Sequence, residues 1–283
     1  MSHVLACIDG SPSAAAVCDC AAWASRILKA PLTFLHVLDR RRYPISGDLS
    51  GTLGLGSREY LLEELTALDE KRAKLALEHG RILLDAVCER ARQAGIPYAD
   101  TRQRHGDLAD TLSELEDEFR LLVIGRQGEG GGMPGLHIGS NLESVVRTLH
   151  RPILVTTEHF TKPRSVMLAF DGSITARKGV AMLAASPLFA SLPIHLVMVD
   201  ADTPENRAQL EAAGEGLRCV GFKVELAIRS GEVEPTLHAY QQEKGVDLMV
   251  MGAYGHSRIR QFFVGSITTA MIRASRTPLL LLR

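Results

Sequence analysis

The sequence lacks a long apolar run. No stretch approaches the roughly 20 residues that a membrane-spanning helix needs, so a soluble protein is expected. The amino terminus, MSHVLACIDGS, has no basic segment followed by a long apolar one, which excludes a secretory signal there and makes the cytoplasm the expected location. Charge of one sign is also lacking. With 32 Lys and Arg against 33 Asp and Glu, nothing electrostatic points to nucleic acid or an anionic membrane as partner. Cysteine is scarce, and Cys7, Cys18, Cys20, Cys88 and Cys219 form no CxxC, so they read as reduced thiols rather than a zinc, haem or redox site. The ten histidines form no HExxH and no GxSxG occurs, which leaves a catalytic metal and a hydrolase triad without an anchor.

What is present is a duplication. VLACIDGSPSAAAV near the start returns as VMLAFDGSITARKGV in the middle. RLLVIGRQGEG (120–130) returns as DLMVMGAYGHS (247–257), and HIGSNLESVVRTLHRPILVT (137–156) as FVGSITTAMIRASRTPLLLL (263–282). The landmarks keep one order. At 283 residues and 46% hydrophobic, the chain supports two domains, expected at 1–158 and 163–283 across a polar boundary that contains Lys162-Pro163. The first copy is longer between its second and third strands, where a Gly/Ser-rich stretch turns into a long charged helical pattern.

Short apolar runs alternate with helical patterns. Strands are expected at 4–8, 32–38, 98–103, 121–124 and 153–156, and again at 166–170, 194–199, 223–228, 248–251 and 279–282. Helices of the first copy are expected at 12–28, 59–94, 108–118 and 141–150. Continuous apolar strands between helices indicate a parallel sheet covered on both faces. The fold class is therefore α/β, with two tandem doubly wound, Rossmann-like domains, each with a five-stranded parallel sheet. The charged helix around 61–84 is expected to lie on its own sheet by an amphipathic face.

Ligands of such sheets bind beyond the carboxyl ends of the strands, where the strand order reverses. Asp9 and Asp171 each end a first strand, and a glycine loop follows each fourth strand. If strands 1 and 4 are neighbours with crossovers on opposite faces, carboxylate and loop share one crevice. Gly252, Gly255 and Gly265 let backbone approach a phosphate without Cβ obstruction, and a helix starting at Ser266 turns free N–H groups toward an anion. Ser266 and Thr268 add hydroxyls, and Asp171 can accept hydrogen bonds from a ribose or adenine. The layout suits a nucleotide better than free phosphate. Alone, Asp9 and Asp171 would read as turn residues with Ser11 and Ser173 as N-caps; coupled to the loops, they favour ligand contact. Arg258 and Arg260 read equally as phosphate clamps and as solvated charges.

Gly252-x2-Gly255-x9-Gly265-Ser266, the Asp-Gly-Ser after strand 1 and the closing Pro278 with its four leucines resemble the ATP-binding motif of universal stress proteins. Both copies carry the set, so the resemblance covers nearly the whole chain. It implies adenine-nucleotide binding (ATP, with or without Mg²⁺) and a regulatory part in the stress response, with no catalytic constellation. Carried over residue by residue, Asp171 would meet the nucleoside and Val199 the adenine edge, while Gly252, Gly255, Gly265, Ser266, Ile267 and Thr268 would cradle phosphates and ribose. The first copy offers Asp9, Val37 or Leu38, Gly125, Gly128, Gly139, Ser140 and Asn141, but has ten residues rather than nine between Gly128 and Gly139.

The competing class is a slow ATPase or phosphotransferase using the same sites. A nucleotide-free interaction protein is a third, against which the intact second motif argues. The apolar strands at 153–156 and 279–282 would each lie at a sheet edge, and an exposed apolar edge must be covered. The resemblance also implies dimerisation through this strand, so the copies are expected to pack as a pseudo-dimer. Any homodimer of the whole chain would use other faces, and the sequence identifies no protein partner.

Overall fold

The computed structural model describes residues 2–38, 55–128, 140–253 and 266–283. The first half runs β1 (His3–Cys7), α1 (Ala14–Leu28), β2 (Leu32–Leu38), α2 (Leu55–Gln93), β3 (Asp100–His105), α3 (Leu108–Glu114), β4 (Phe119–Gly125), α4 (Ser140–Thr148) and β5 (Ile153–Thr156). The second half runs β6 (Val166–Ala169), α5 (Ile174–Ala185), β7 (Ile194–Val199), α6 (Pro204–Arg218), β8 (Val224–Arg229), α7 (Val233–Lys244), β9 (Leu248–Gly252), α8 (Ser266–Ala274) and β10 (Leu279–Leu282). A 3₁₀ turn, Pro187–Phe189, follows α5.

Four of these strands start directly after a proline, for a physical reason. Proline cannot donate to a ladder but still offers its carbonyl. Pro31 accepts from Val4 N (2.9 Å) and Pro193 from Val166 N (3.0 Å), so β2 and β7 begin alike beside β1 and β6. Pro152 accepts from Leu122 N (3.0 Å) and Pro278 from Met249 N (3.1 Å), which does the same for β5 and β10.

The ten strands form one sheet in the order β3-β2-β1-β4-β5-β10-β9-β6-β7-β8. Neighbours within each half are parallel, and β5 pairs antiparallel with β10. Leu154 faces Leu280, flanked by Ile153 opposite Leu281 and Val155 opposite Leu279. Leu154 and Leu280 are equivalent in the repeat, so they sit at a pseudo-twofold axis. Each half thus covers the other's apolar edge. Because the halves run antiparallel, the carboxyl ends of their strands point to opposite edges of the sheet.

Alternation along the strands feeds two cores. Val4 and Ala6 of the first strand, with Ile8 just beyond it, share one core with α1, α2, α5 and α6; Leu5 shares the other with α3, α4, α7 and α8. Further contacts join the halves. Trp23 of α1 meets Phe160 at a ring-centroid distance of 5.6 Å. Arg126 donates to Ser275 O (2.6 Å) and Arg273 O (3.2 Å) at the end of α8, and Arg283 donates to Leu149 O (3.1 Å) and Arg147 O at the end of α4. These arginines are not repeat equivalents, yet each neutralises the carbonyl end of the equivalent helix across the junction.

Some expected boundaries differ. β3 lies two residues later than expected, and α3 stops at Glu114 because residues 115–118 form turns. The larger difference concerns α2. Ala76, Leu84, Val87 and Ala91 are buried, whereas Leu65, Leu68, Leu75 and Ile82 are exposed, so only the carboxyl-terminal part lies on the sheet.

Candidate functional site

β1 lies beside β4, and β6 beside β9, while α1 and α5 leave over one face and α4 and α8 over the other. The strand order therefore reverses at these two places, one per half. α4 and α8 connect parallel neighbours, β4 to β5 and β9 to β10, so both helices start at the carboxyl edge of their half.

In the first half, Ile8 N still donates to Leu35 O (2.8 Å), which holds the chain in line until Asp9. Asp9 Oδ1 then accepts from Ser11 N (3.1 Å), closing an Asx-type turn. Ser13 Oγ lies 2.9 Å from Ser11 Oγ and donates to Gln127 O (3.2 Å) in the loop after β4. The glycines make this closeness sterically feasible. A Cβ on Gly125 would stand 2.4 Å from Ser13 Oγ, and one on Gly128 would stand 2.9 Å from Asp9 Oδ2. Aspartate turn and glycine loop are interlocked.

The second half repeats the plan with other contacts. Phe170 N donates to Val197 O (2.8 Å), and Asp171 Oδ1 accepts from Ser173 N (3.0 Å). Ser173 caps α5 by accepting from Ala176 N (3.1 Å). Gly172 has φ +71°, a conformation that favours glycine, and a Cβ there would stand 2.6 Å from Gln209 Oε1. Arg177 ties this corner together, with Nε donating to Gly172 O (3.1 Å) and Nη2 to Gln209 Oε1 (3.3 Å). A Cβ on Gly252 would stand 2.9 Å from Thr175 Cγ2. The expected cap holds for Ser173 but not for Ser11. Ser11 gives its N–H to Asp9 and pairs its hydroxyl with Ser13, and α1 starts two places later than α5.

Asp9 is half-buried and Asp171 exposed. Val37 and Val199 are half-buried at the carboxyl ends of β2 and β7, and Leu38 is buried. Ser140 and Ser266 are the first residues of α4 and α8. Asn141 and Ile267 are exposed, whereas Thr268 is 5% exposed. Gly139, Gly255, Gly265, Arg258 and Arg260 lie outside the described residues. Burial, with Asp9 nearby, pushes the Cys7 thiol far above its ordinary range.

Ser13, Thr175, Gln127, Arg177 and Gln209 were not singled out from sequence. Ser13 and Thr175 had a signal: each is a hydroxyl residue four places after the repeated aspartate. The others act through contacts between distant segments.

The universal stress protein family matches residues 1–157 and 187–283. A universal stress protein of Synechocystis sp. is 35% identical over 287 aligned positions, covering 100% of both chains. One of Methanocaldococcus jannaschii is 30% identical over 81 residues, 29% of this chain and 50% of its own. The crystal structure of a universal stress protein from Archaeoglobus fulgidus shares the fold, with a TM-score of 0.70 at 18% identity over 99% of this chain and 98% of that one. By the match to most of both repeats and the full-length relative, the chain belongs to the universal stress protein family.

Proposed function

We propose that the chain is a regulatory protein of the stress response that binds an adenine nucleotide, ATP, at the two places where its strand order reverses. The observation that carries this reading is the neighbourship of β6 and β9, which brings the turn of Asp171 beside Gly252 at the edge where α8 begins. The repeat builds the same neighbourship around Asp9 and Gly125.

In this reading Asp171, its Oδ1 fixed by Ser173 N, accepts from ribose hydroxyls, and Val199 lines the adenine edge. Gly255, Gly265, Ser266, Ile267 and the N–H groups opening α8 take the phosphates. Asp9, Val37, Gly128, Gly139, Ser140 and Asn141 do so in the first half. Gly125 and Gly252 join the cradle by their backbone and have a second role. Their Cβ space belongs to Ser13 and Thr175, so they also let loop and helix close. Mg²⁺ would be held chiefly by the phosphates of the nucleotide, as this ion usually is.

Calorimetric titration with ATP tests the reading, together with mass spectrometry of the nucleotide that co-purifies. The wild-type chain should show two unequal sites, since the loops carry ten and nine residues between their last two motif glycines. Gly265→Val should remove the second-half site and leave the other. Unchanged stoichiometry and affinity in that variant would overturn the phosphate-loop assignment.

A further inference from the structure

The repeats differ most in α2, which spans 39 residues where its counterpart α6 spans 15. Gly80 marks where α2 meets the end of the sheet. A Cβ there would stand 2.3 Å from Gln103 Nε2 and 2.5 Å from His36 Cδ2, and Gln103 Nε2 donates to Leu77 O (3.2 Å). His36 and Gln103 lie toward the carboxyl ends of β2 and β3. From Ala76 onward one stripe is buried: Ala76, Gly80, Leu84, Val87 and Ala91. Between 64 and 75 no residue is buried. At 1.5 Å per residue, residues 64–75 alone therefore carry α2 about 18 Å past its contact with the sheet.

The projecting part is not uniformly polar. Leu65, Leu68, Leu75 and Ile82 are 38%, 48%, 62% and 53% exposed. Leu68, Leu75 and Ile82 stand seven residues apart, and Leu65 adds the alternate position of a heptad seam. At 100° per residue, this seam lies about 120° around the helix from the sheet-facing stripe. Ile82 illustrates the separation, since it is exposed within the segment that packs on the sheet. Large apolar side chains aligned along one outward face of a helix fit a helical partner.

We infer that this seam joins two copies of the chain through an antiparallel contact between their α2 helices. The partner is a second copy because the charges beside the seam complement themselves. With Leu65 set beside Ile82 of the second copy, Leu68 falls beside His79 and Leu75 beside the stem of Arg72, while Lys71 faces Glu78 on both sides of the twofold axis. Parallel pairing would instead set Arg72 against Arg72. The Arg81 guanidinium (2.7 Å) already holds the Glu78 carboxyl below the usual range, so Lys71 of the second copy would join an existing ion pair.

Sedimentation velocity on the full chain, over a wide range of concentration, reads the outcome. The wild type should show a concentration-dependent dimer. Leu68→Glu with Leu75→Glu should be monomeric with unchanged helical circular dichroism, since neither side chain belongs to the core. Lys71→Glu or Glu78→Lys should each weaken the dimer about tenfold, and the two together should restore it. A monomer at all concentrations, whether its seam is covered by another segment of the chain or by an unrelated protein, overturns the inference. So does a dimer that survives the double glutamate change, or a charge exchange that recovers nothing.

Discussion

In the first half, Ser13 turns its hydroxyl away from α1 toward Gln127 O at 3.2 Å, whereas in the second, Ser173 caps α5 through Ala176 N at 3.1 Å. Asp9 lies half-buried under Gly128, while Asp171 stays exposed with Arg177 and Gln209 at its flank. The helix after the turn starts at a different place, and the cap is made by a different residue. The approach of the fourth strand's terminal glycine to the first helix is nevertheless kept in both. The plan constrains that approach, and the hydrogen bonds around it are free to vary.

The largest expected effect falls where the halves are most alike. β5 and β10 are central strands of the joint sheet, and a proline inside such a strand removes a ladder donor and strains the backbone. Leu154→Pro and Leu280→Pro should each cost about 3 kcal/mol, the upper end of the usual range for point substitutions. They should act alike because both residues sit at the pseudo-twofold. Thermal melting with small-angle scattering checks this; a variant that stays compact and as stable as wild type would show that the paired edges do not hold the halves together.

The second comparison concerns the two glycines that end β4 and β9. A Cβ on Gly125 meets Ser13 Oγ at 2.4 Å and Ser13 Cβ at 3.2 Å; one on Gly252 meets Thr175 Cγ2 at 2.9 Å and Thr175 Cβ at 3.4 Å. Overpacking of this kind costs about 1–3 kcal/mol. Gly125→Ala should therefore lose more stability than Gly252→Ala in urea unfolding. Adding Thr175→Ala should cancel nearly all of the Gly252→Ala loss, because the remaining 3.4 Å is ordinary contact. Adding Ser13→Ala should relieve the other only in part, because 3.2 Å remains and the bond to Gln127 O is gone. Equal rescue in both halves would mean that backbone shifts, not these side chains, absorb the added methyl.

The same elements show what a sequence can and cannot reveal. Strands β2, β5, β7 and β10 were legible to the residue because a proline opens each and an apolar run fills it. β3 was placed early because it is a polar outer strand, DTRQRH, whose only nearby aromatic, Tyr98, is 91% exposed and outside the ladder. The helical pattern of α2 was legible, but its apolar residues divide between two faces. Periodicity does not say which face meets the sheet. The repeat placed an aspartate turn and a glycine loop in each half, but that they meet depended on strands 1 and 4 being neighbours, which the sequence only allowed and the strand order supplies. The lock between Ser13 and Gly125 was not legible, because it joins segments more than a hundred residues apart.

The smallest effect separates the halves by pH. His195 in β7 occupies the place that Thr33 holds in β2, since they pair with the equivalent residues Met167 and Leu5 of β6 and β1. Its Nδ1 lies 3.0 Å from Tyr240 Oη and 3.6 Å from the Glu225 carboxylate, with Lys244 beyond at 2.5 Å from Glu225. Burial lowers the His195 pKa from 6.5; Glu225 raises it in part, and Lys244 adds to the lowering. Tyr240, raised to about 12 chiefly by burial, keeps its proton and can donate it to a neutral imidazole. Because the unfolded chain binds this proton more readily, the His195 contribution to stability is fully present above pH 6.5 and is lost as pH falls through the lower folded value. His195→Thr should therefore flatten the decline in the urea midpoint below pH 6.5, measured against wild type under matched conditions. The residual slope belongs to other groups, among them His3, which burial also lowers. Parallel slopes for variant and wild type would mean that His195 takes up its proton as readily in the folded chain as in the unfolded one.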